Sequence, residues 1–184
     1  EYNYIVEVRL RFPGFLKILR AAECHNIREC RVKMIRGYIT RTVLNDENNS
    51  LLLRGEREND GLPVIIRMTK VTPSEKDRAG LYNEFNILQG VAIEGIIRTV
   101  EMIDDNQSVA IVFHDPGGEI LSGIIDKKLT AIRDVLKTCI RMAAILGDLH
   151  RNGIIYRDIN PSSILADIEK GTVTLINFSI ARNV

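Results

Sequence analysis

The chain has 184 residues, 45% of them hydrophobic and 27% charged, which suits one globular domain or two small lobes sharing a cleft. Its formal net charge of +1 gives no global field for nucleic acid, and no apolar run approaches the roughly 18–20 residues that insert into a membrane. The charge is uneven: residues 1–36 hold eight Arg or Lys and four Glu, a net of +4, which leaves −3 for the rest. That basic start reads as a solvated face or linker, with a surface for an acidic partner as the alternative.

Cys24, Cys30 and Cys139 make an odd count without the paired spacing of a zinc site, so a reduced, cytoplasmic setting is expected. Residue 1 is Glu and no signal peptide is visible, so the expectation is a segment cut from a longer chain.

The first 36 residues read as an extension of uncertain structure. Ile5, Val6 and Val8 open a strand pattern, Phe12-Pro13-Gly14-Phe15 breaks it, and residues 16–31 have weak helical spacing. From Gly37 the pattern sharpens into a strand over 38–44, a polar turn over 45–50 and a second strand over 51–57. Asn59-Asp60-Gly61 is a hairpin signal, because Asp-Gly readily takes positive φ. A third strand covers 63–71. A helix then starts on Thr72 as cap, with Pro73 in the first turn and Glu75 three residues after the cap. It runs to about Gln89, with Leu81, Phe85 and Leu88 on one face. Two more strands follow at 96–103 and 108–113.

Beyond Pro116-Gly117-Gly118 the period changes. Ile132, Val135, Leu136, Cys139, Ile140, Ala143, Leu146 and Leu149 recur at three and four, giving one long helix that Asn152-Gly153 ends. Two short strands, 163–166 and 173–176, close the chain. The order of strands, helix, strands, linker and helices is an α+β arrangement.

The most informative segment is Gly153-Ile-Ile-Tyr-Arg-Asp-Ile-Asn-Pro-Ser-Ser-Ile-Leu165. Asp158 lies after a Gly-capped helix and before Pro161 and an apolar strand, which is a buried framework rather than a surface charge pair. The segment resembles the protein-kinase catalytic loop, H-R-D-L-x-x-x-N, with Tyr156 for His, Arg157 and Asp158 matching, and Ser163 for Asn. Fourteen residues after Ser163, Asn177-Phe178-Ser179 stands for Asp-Phe-Gly. Upstream, Val64-Ile65-Ile66-Arg67 takes the place of V-A-I-K. Glu84 sits mid-helix as the ion partner, and residues 111–118 resemble the hinge between lobes. Strand parity puts Ile65 and Arg67 on one face and Val64, Ile66, Met68 and Lys70 on the other, so Arg67 rather than Lys70 fits the lysine position. The hinge and loop together are most similar to Ser/Thr-kinase-like domains at the front of hybrid proteins that also carry an ATPase module and a histidine kinase.

The resemblance covers about residues 37–184. It implies a bilobal α+β kinase-like fold, with a five-stranded antiparallel upper sheet and one helix over 37–113. A hinge follows at 114–118, and then a partial helical lower lobe over 119–184 whose usual covering helices are missing. It implies ATP with magnesium as the cofactors. Asp158 would accept the substrate hydroxyl proton, with Arg157 and Ser163 in the same loop. Arg67, Glu84, His114, Asp115 and Leu165 would surround the nucleotide, and Asn177 with Ser163 would stand at the metal positions.

Several positions depart from that pattern. Residues 45–50 contain no glycine. Arg67 brings a wide planar fork in place of a compact ammonium. Asn177 offers a neutral amide oxygen where magnesium favours a carboxylate. If Phe113 is the gatekeeper, Pro116 falls at the adenine-donor position and has no N–H; a one-residue shift puts Asp115 there. The leading expectation is a pseudokinase, or a very weak Ser/Thr kinase, that binds nucleotide within a signalling protein. The alternatives are an active ATP- and magnesium-dependent kinase and a partial gene product without chemistry. Expected partners are nucleotide and a protein partner or further domains, with no nucleic acid and no membrane insertion.

Overall fold

The computed structural model describes residues 32–35, 37–47, 49–70, 72–104, 108–126 and 131–184. The strand and helix patterns expected over residues 5–31 fall outside them, as do Cys24 and Cys30.

The upper lobe is an antiparallel sheet with one helix. Its strands are β1 (Val32–Ile35), β2 (Tyr38–Glu47), β3 (Ser50–Arg57), β4 (Pro63–Thr69), β5 (Thr99–Asp104) and β6 (Val109–His114), in the order β1-β2-β3-β4-β6-β5. These are the five expected strands with a short sixth, β1, added at the edge. β2 runs three residues beyond the expected 38–44, because Asn45, Asp46 and Glu47 continue the ladder opposite Leu52, Leu51 and Ser50. The ladder uses backbone groups, so polar side chains do not end it. Asp46 on this extension forms an ion pair with Lys70.

Side chains on the two faces of the sheet enter different cores, as the two-residue period requires. Leu53, Val64, Ile66, Met68 and Val112 pack on the outer face. Leu52, Ile65, Ile111 and Phe113 pack on the inner face with Leu81, Ile87 and Leu88 of α1 (Glu75–Gln89). The cap of α1 is Ser74, not Thr72. The Ser74 hydroxyl accepts from the Asp77 N–H at 3.2 Å, and the Asp77 carboxylate accepts from the Ser74 N–H at 3.0 Å. This reciprocal box satisfies two end donors, which a Thr72 cap paired with Glu75 does not do here.

β5 starts at Thr99 rather than 96. Ile96 instead bridges in parallel to Leu175, and the Ile97 N–H donates to the Leu175 carbonyl at 3.1 Å. The Leu175 N–H in turn donates to the Gly95 carbonyl at 2.8 Å. Backbone bonds therefore join the segment after α1 to the lower lobe.

The lower lobe contains β7 (Glu119–Ile120), α2 (Leu121–Asp126), α3 (Ile132–Arg151), β8 (Ile154–Ile155), a 3-10 turn (Pro161–Ser163), β9 (Ile164–Asp167), β10 (Thr172–Leu175) and β11 (Arg182–Asn183). β10, β9 and β7 form one small sheet, and β11 pairs with β8 in another. The expected closing hairpin is present, with β9 starting one residue after the predicted 163, because Ser163 belongs to the turn, and β10 starting one residue before the predicted 173. α3 ends at Arg151, with Asn152 as its cap and Gly153 at φ +71°. Its buried residues are Thr138, Ile145 and Leu149, so of the expected apolar set only Leu149 is buried, while Ile132, Leu136 and Ile140 are 75%, 57% and 69% exposed. No helix among the described residues is long and apolar enough to cross a membrane.

Buried and exposed positions of α3 predict different mutational responses. Leu149→Ala empties a fully buried site and is expected to lower urea stability by about 2–5 kcal/mol. Ile140→Ala, at an exposed position, is expected to change it by no more than about 0.5 kcal/mol.

Candidate functional site

The cleft side of β4 carries Arg67, whose backbone pairs with Leu52 of β3 and Ile111 of β6. α1 packs beneath this face and presents Glu84, fully buried. The Arg67 Nη1 lies 3.2 Å from the Glu84 Oε2, and the other carboxylate oxygen accepts the Phe178 N–H at 3.0 Å. A buried carboxylate is tolerable only when charge and hydrogen bonds compensate its lost water. Both compensations are present, one from the upper sheet and one from the lower lobe.

The loop between β8 and β9 brings Asp158 under this pair. Its Oδ1 accepts from the Asn160 amide at 2.6 Å. Its Oδ2 accepts from the Ser163 hydroxyl at 2.8 Å and from the Asn177 amide nitrogen. The Asn177 oxygen accepts from Arg67 Nη1 and from the Ser179 hydroxyl, the latter at 2.9 Å. A continuous polar chain thus runs from Glu84 through Arg67 and Asn177 to Asp158, with Ser163 and Asn160 completing it.

Local geometry explains how these residues converge. Asn160 caps the 3-10 turn, its oxygen accepting from the N–H groups of Ser162 and Ser163 at 2.9 and 3.0 Å, and Pro161 follows at the first turn position. Asn177 and Arg157 both have left-handed backbones, at φ +69° and +70°. These are the two positive-φ residues other than glycine among those described, and both flank Asp158. Asn tolerates this region; a bulky arginine is strained there.

Tyr156, at the position of the usual His, and Asn83 also take part. Tyr156 is buried, and its hydroxyl donates to the Ile176 carbonyl and lies 3.2 Å from the Ser163 carbonyl. Its ring sits 4.8 Å from that of Phe178. Burial first, and then the nearby Asp158 charge, push its phenol well above the ordinary range, so it remains a neutral donor. Asn83 of α1 donates to the carbonyls of Ser179 and Ala181 at 3.1 and 3.0 Å, holding the segment after Asn177 against the upper lobe. The Asn-Pro-Ser pattern was a visible signal for Asn160. No local pattern marks Asn83, whose partners are about 95 residues away.

Not every expected residue joins this cluster. Arg157 is exposed and reaches toward the Ile180 carbonyl at 3.5 Å, away from Asp158. Leu165 is buried on β9 in the same core as Leu52, Ile65 and Phe113. His114 and Asp115 lie at the hinge. The His114 N–H donates to the Arg98 carbonyl at 2.9 Å and the Asp115 N–H to the Pro63 carbonyl at 3.1 Å. Pro116 has no N–H, and the Gly117 N–H donates to the Asp115 carboxylate at 2.8 Å. Under either register of the hinge, the backbone position expected to donate to adenine is already engaged or has no hydrogen. Arg54 crosses from β3 to brace this strip, with Nε 2.6 Å from Asp115 and Nη2 2.9 Å from the Gly118 carbonyl. Gly118 has φ +77°, and a Cβ there would stand 2.6 Å from the Ala166 carbonyl, so the hinge can press against β9 only as glycine.

Magnesium prefers carboxylate, phosphate and water oxygens in near-octahedral array. Asp158, Ser163 and Asn177 supply one carboxylate, and Asn177 turns its nitrogen toward that carboxylate and its oxygen toward Arg67. No group of three or more His, Cys, Asp or Glu side chains with metal-binding placement occurs among the described residues. This donor set does not fit a resident magnesium ion.

A two-lobed fold with a β-strand cation paired to a helix glutamate, over a loop aspartate, defines the protein-kinase class. The sequence pattern described as "Protein kinase domain" matches residues 49–184, and the chain belongs to that family. Human "Myosin light chain kinase 3" is 30% identical over 133 residues, covering 70% of this chain and 16% of that protein. "Serine/threonine-protein kinase TIO" of Arabidopsis thaliana is 29% identical over 131 residues, covering 70% of this chain and 10% of that protein. "Serine/threonine-protein kinase csk1" of Schizosaccharomyces pombe is 29% identical over 143 residues, covering 75% of this chain and 44% of that protein. The chain therefore spans less than half the length of these relatives.

The buried pair gives a direct test. Arg67→Met leaves the Glu84 carboxylate without its cation and is expected to destabilise the chain by about 3–5 kcal/mol in urea unfolding. Arg67→Lys keeps the charge and is expected to lose much less.

Proposed function

We propose that the chain is a pseudokinase, or a very weak Ser/Thr kinase, serving as a nucleotide-binding or regulatory module of a cytoplasmic signalling protein. The observation that carries this reading is the donor set at the metal position, which has one carboxylate, Asp158, already engaged by three neutral donors. Removing one unit charge ~4 Å from a cation is worth on the order of 4 kcal/mol at an effective dielectric of ~20. If that loss fell on the transition state, it would slow phosphoryl transfer by about 10³-fold. The hinge supports the same reading, because adenine would meet carbonyl acceptors without the usual N–H. The hybrid ATPase and histidine-kinase architecture is the setting we infer for it, on the strength of the hinge and loop motifs.

One observation favours the second reading, an active ATP-dependent Ser/Thr kinase. The Arg67–Glu84 pair is formed and Asp158 lies below it, an arrangement compatible with transfer if a nucleotide brings its own metal.

Two measurements separate the readings. ATP titration is expected to show binding weaker than in a standard kinase and nearly the same with and without Mg2+; a large magnesium-dependent gain would favour the enzyme. Second, the combined Arg67→Lys, Ser163→Asn and Asn177→Asp variant, in a protein carrying the complete lower lobe, is expected to gain phosphoryl transfer that the unaltered protein lacks. Removing Asp158 from it should abolish the gain, and single changes should recover far less than the three together, because such groups act as a unit. Equal turnover before and after the changes would make the pseudokinase reading wrong.

A further inference from the structure

Asn177 stands between two opposite charges. On one side is the Arg67 guanidinium, itself held by Glu84; on the other is the Asp158 carboxylate. A carboxamide has one accepting end and one donating end, and these neighbours select its orientation. Reversing the amide would set its oxygen against a carboxylate and its NH2 against a guanidinium. The orientation present satisfies both, and Ser179 adds a second donor to the oxygen. The other contacts in this region point the same way. Ser163 and Asn160 also reach Asp158 as neutral donors, while Glu84 and Asn83 of α1 grip the backbone of residues 178–181. An aspartate at 177 would keep its contact with Arg67 but would face Asp158 as a like charge, a repulsion that a cation between the two carboxylates would relieve.

We propose that Asn177 is a positioning residue that links the two lobes in place of a divalent cation, its amide joining Arg67 of the upper sheet to Asp158 of the catalytic loop. The closed arrangement of the cleft is then independent of magnesium. This deepens the pseudokinase reading and rests on it for the identity of the metal position, but the link is a property of folding and is measured apart from turnover.

The test is thermal unfolding of the chain in chelator and in millimolar Mg2+. The unaltered chain is expected to melt at the same temperature in both. Asn177→Asp is expected to melt about 3–8 °C lower in chelator and to recover most of that loss in Mg2+. The exchanged pair Asn177→Asp with Asp158→Asn restores one carboxylate and one amide. It is expected to melt within about 2 °C of the unaltered chain in chelator, as a coupled pair requires. Should Asn177→Asp fail to fold, the exchanged pair and the unaltered chain still decide the matter. A magnesium-dependent rise in the unaltered chain, an Asn177→Asp variant as stable as the parent in chelator, or an exchanged pair that melts low would each overturn the proposal. Phosphoryl transfer by an unaltered chain whose melting ignores Mg2+ would refute the pseudokinase reading and leave the link standing. A catalytically silent chain that melts higher in Mg2+ would do the reverse.

Discussion

Glu84 carries its carboxylate where water cannot reach it, and much of the cleft is arranged to make that tolerable. A charge so placed must have a cation and hydrogen-bond donors within reach, or the helix that carries it will not seat. Arg67 supplies the cation from the sheet, and the Phe178 N–H supplies a donor from the lower lobe. α1 is thereby held to β4 above and to the Asn-Phe-Ser segment below. A change at any of these three places is felt at the other two.

Seen from this pair, the departures from the kinase pattern belong together. An arginine in the lysine position has spare N–H groups, and one Nη1 serves both Glu84 and Asn177. A neutral amide at 177 can accept from that arginine and donate to Asp158. A serine at 163 is short enough to reach the same carboxylate at 2.8 Å without crowding Asn160. The loop aspartate that would otherwise receive a proton is left with each oxygen accepting. The hinge shows the same self-sufficiency, since its N–H groups answer to Arg98, Pro63 and Asp115 within the chain.

Much of this was legible before any coordinates. Strand parity puts Arg67 on the face of Ile65 and the kinase resemblance makes that the inner face, while the Asp-Gly hairpin, the end of α1 at Gln89 and the Asn-Gly stop of α3 follow from local chemistry. The cap of α1 was misread because Thr72-Pro73 and Ser74 both offer a hydroxyl. The choice depends on Asp77 reaching back, a feature of side-chain geometry. The length of β2 was misread because its last residues are polar, and a ladder opposite Leu51 and Leu52 is a tertiary fact. The site was legible as positions but not as a network. That Asn160 would join Asp158, that Arg157 would point away from it, and that Asn83 would hold Ser179 all depend on how loops distant in sequence meet.

The backbone at Asn177 limits what this position can hold. A left-handed φ of +69° favours Asn, Asp and Gly over other side chains. The neighbours impose a second and unrelated filter, asking for one end that accepts and one that donates. Glycine passes the first and fails the second; aspartate passes the first and suits only a cleft that also holds a cation. Asparagine alone passes both in a cleft without one. One side chain thus meets both demands at this turn, and it does so with the backbone that an aspartate would also accept.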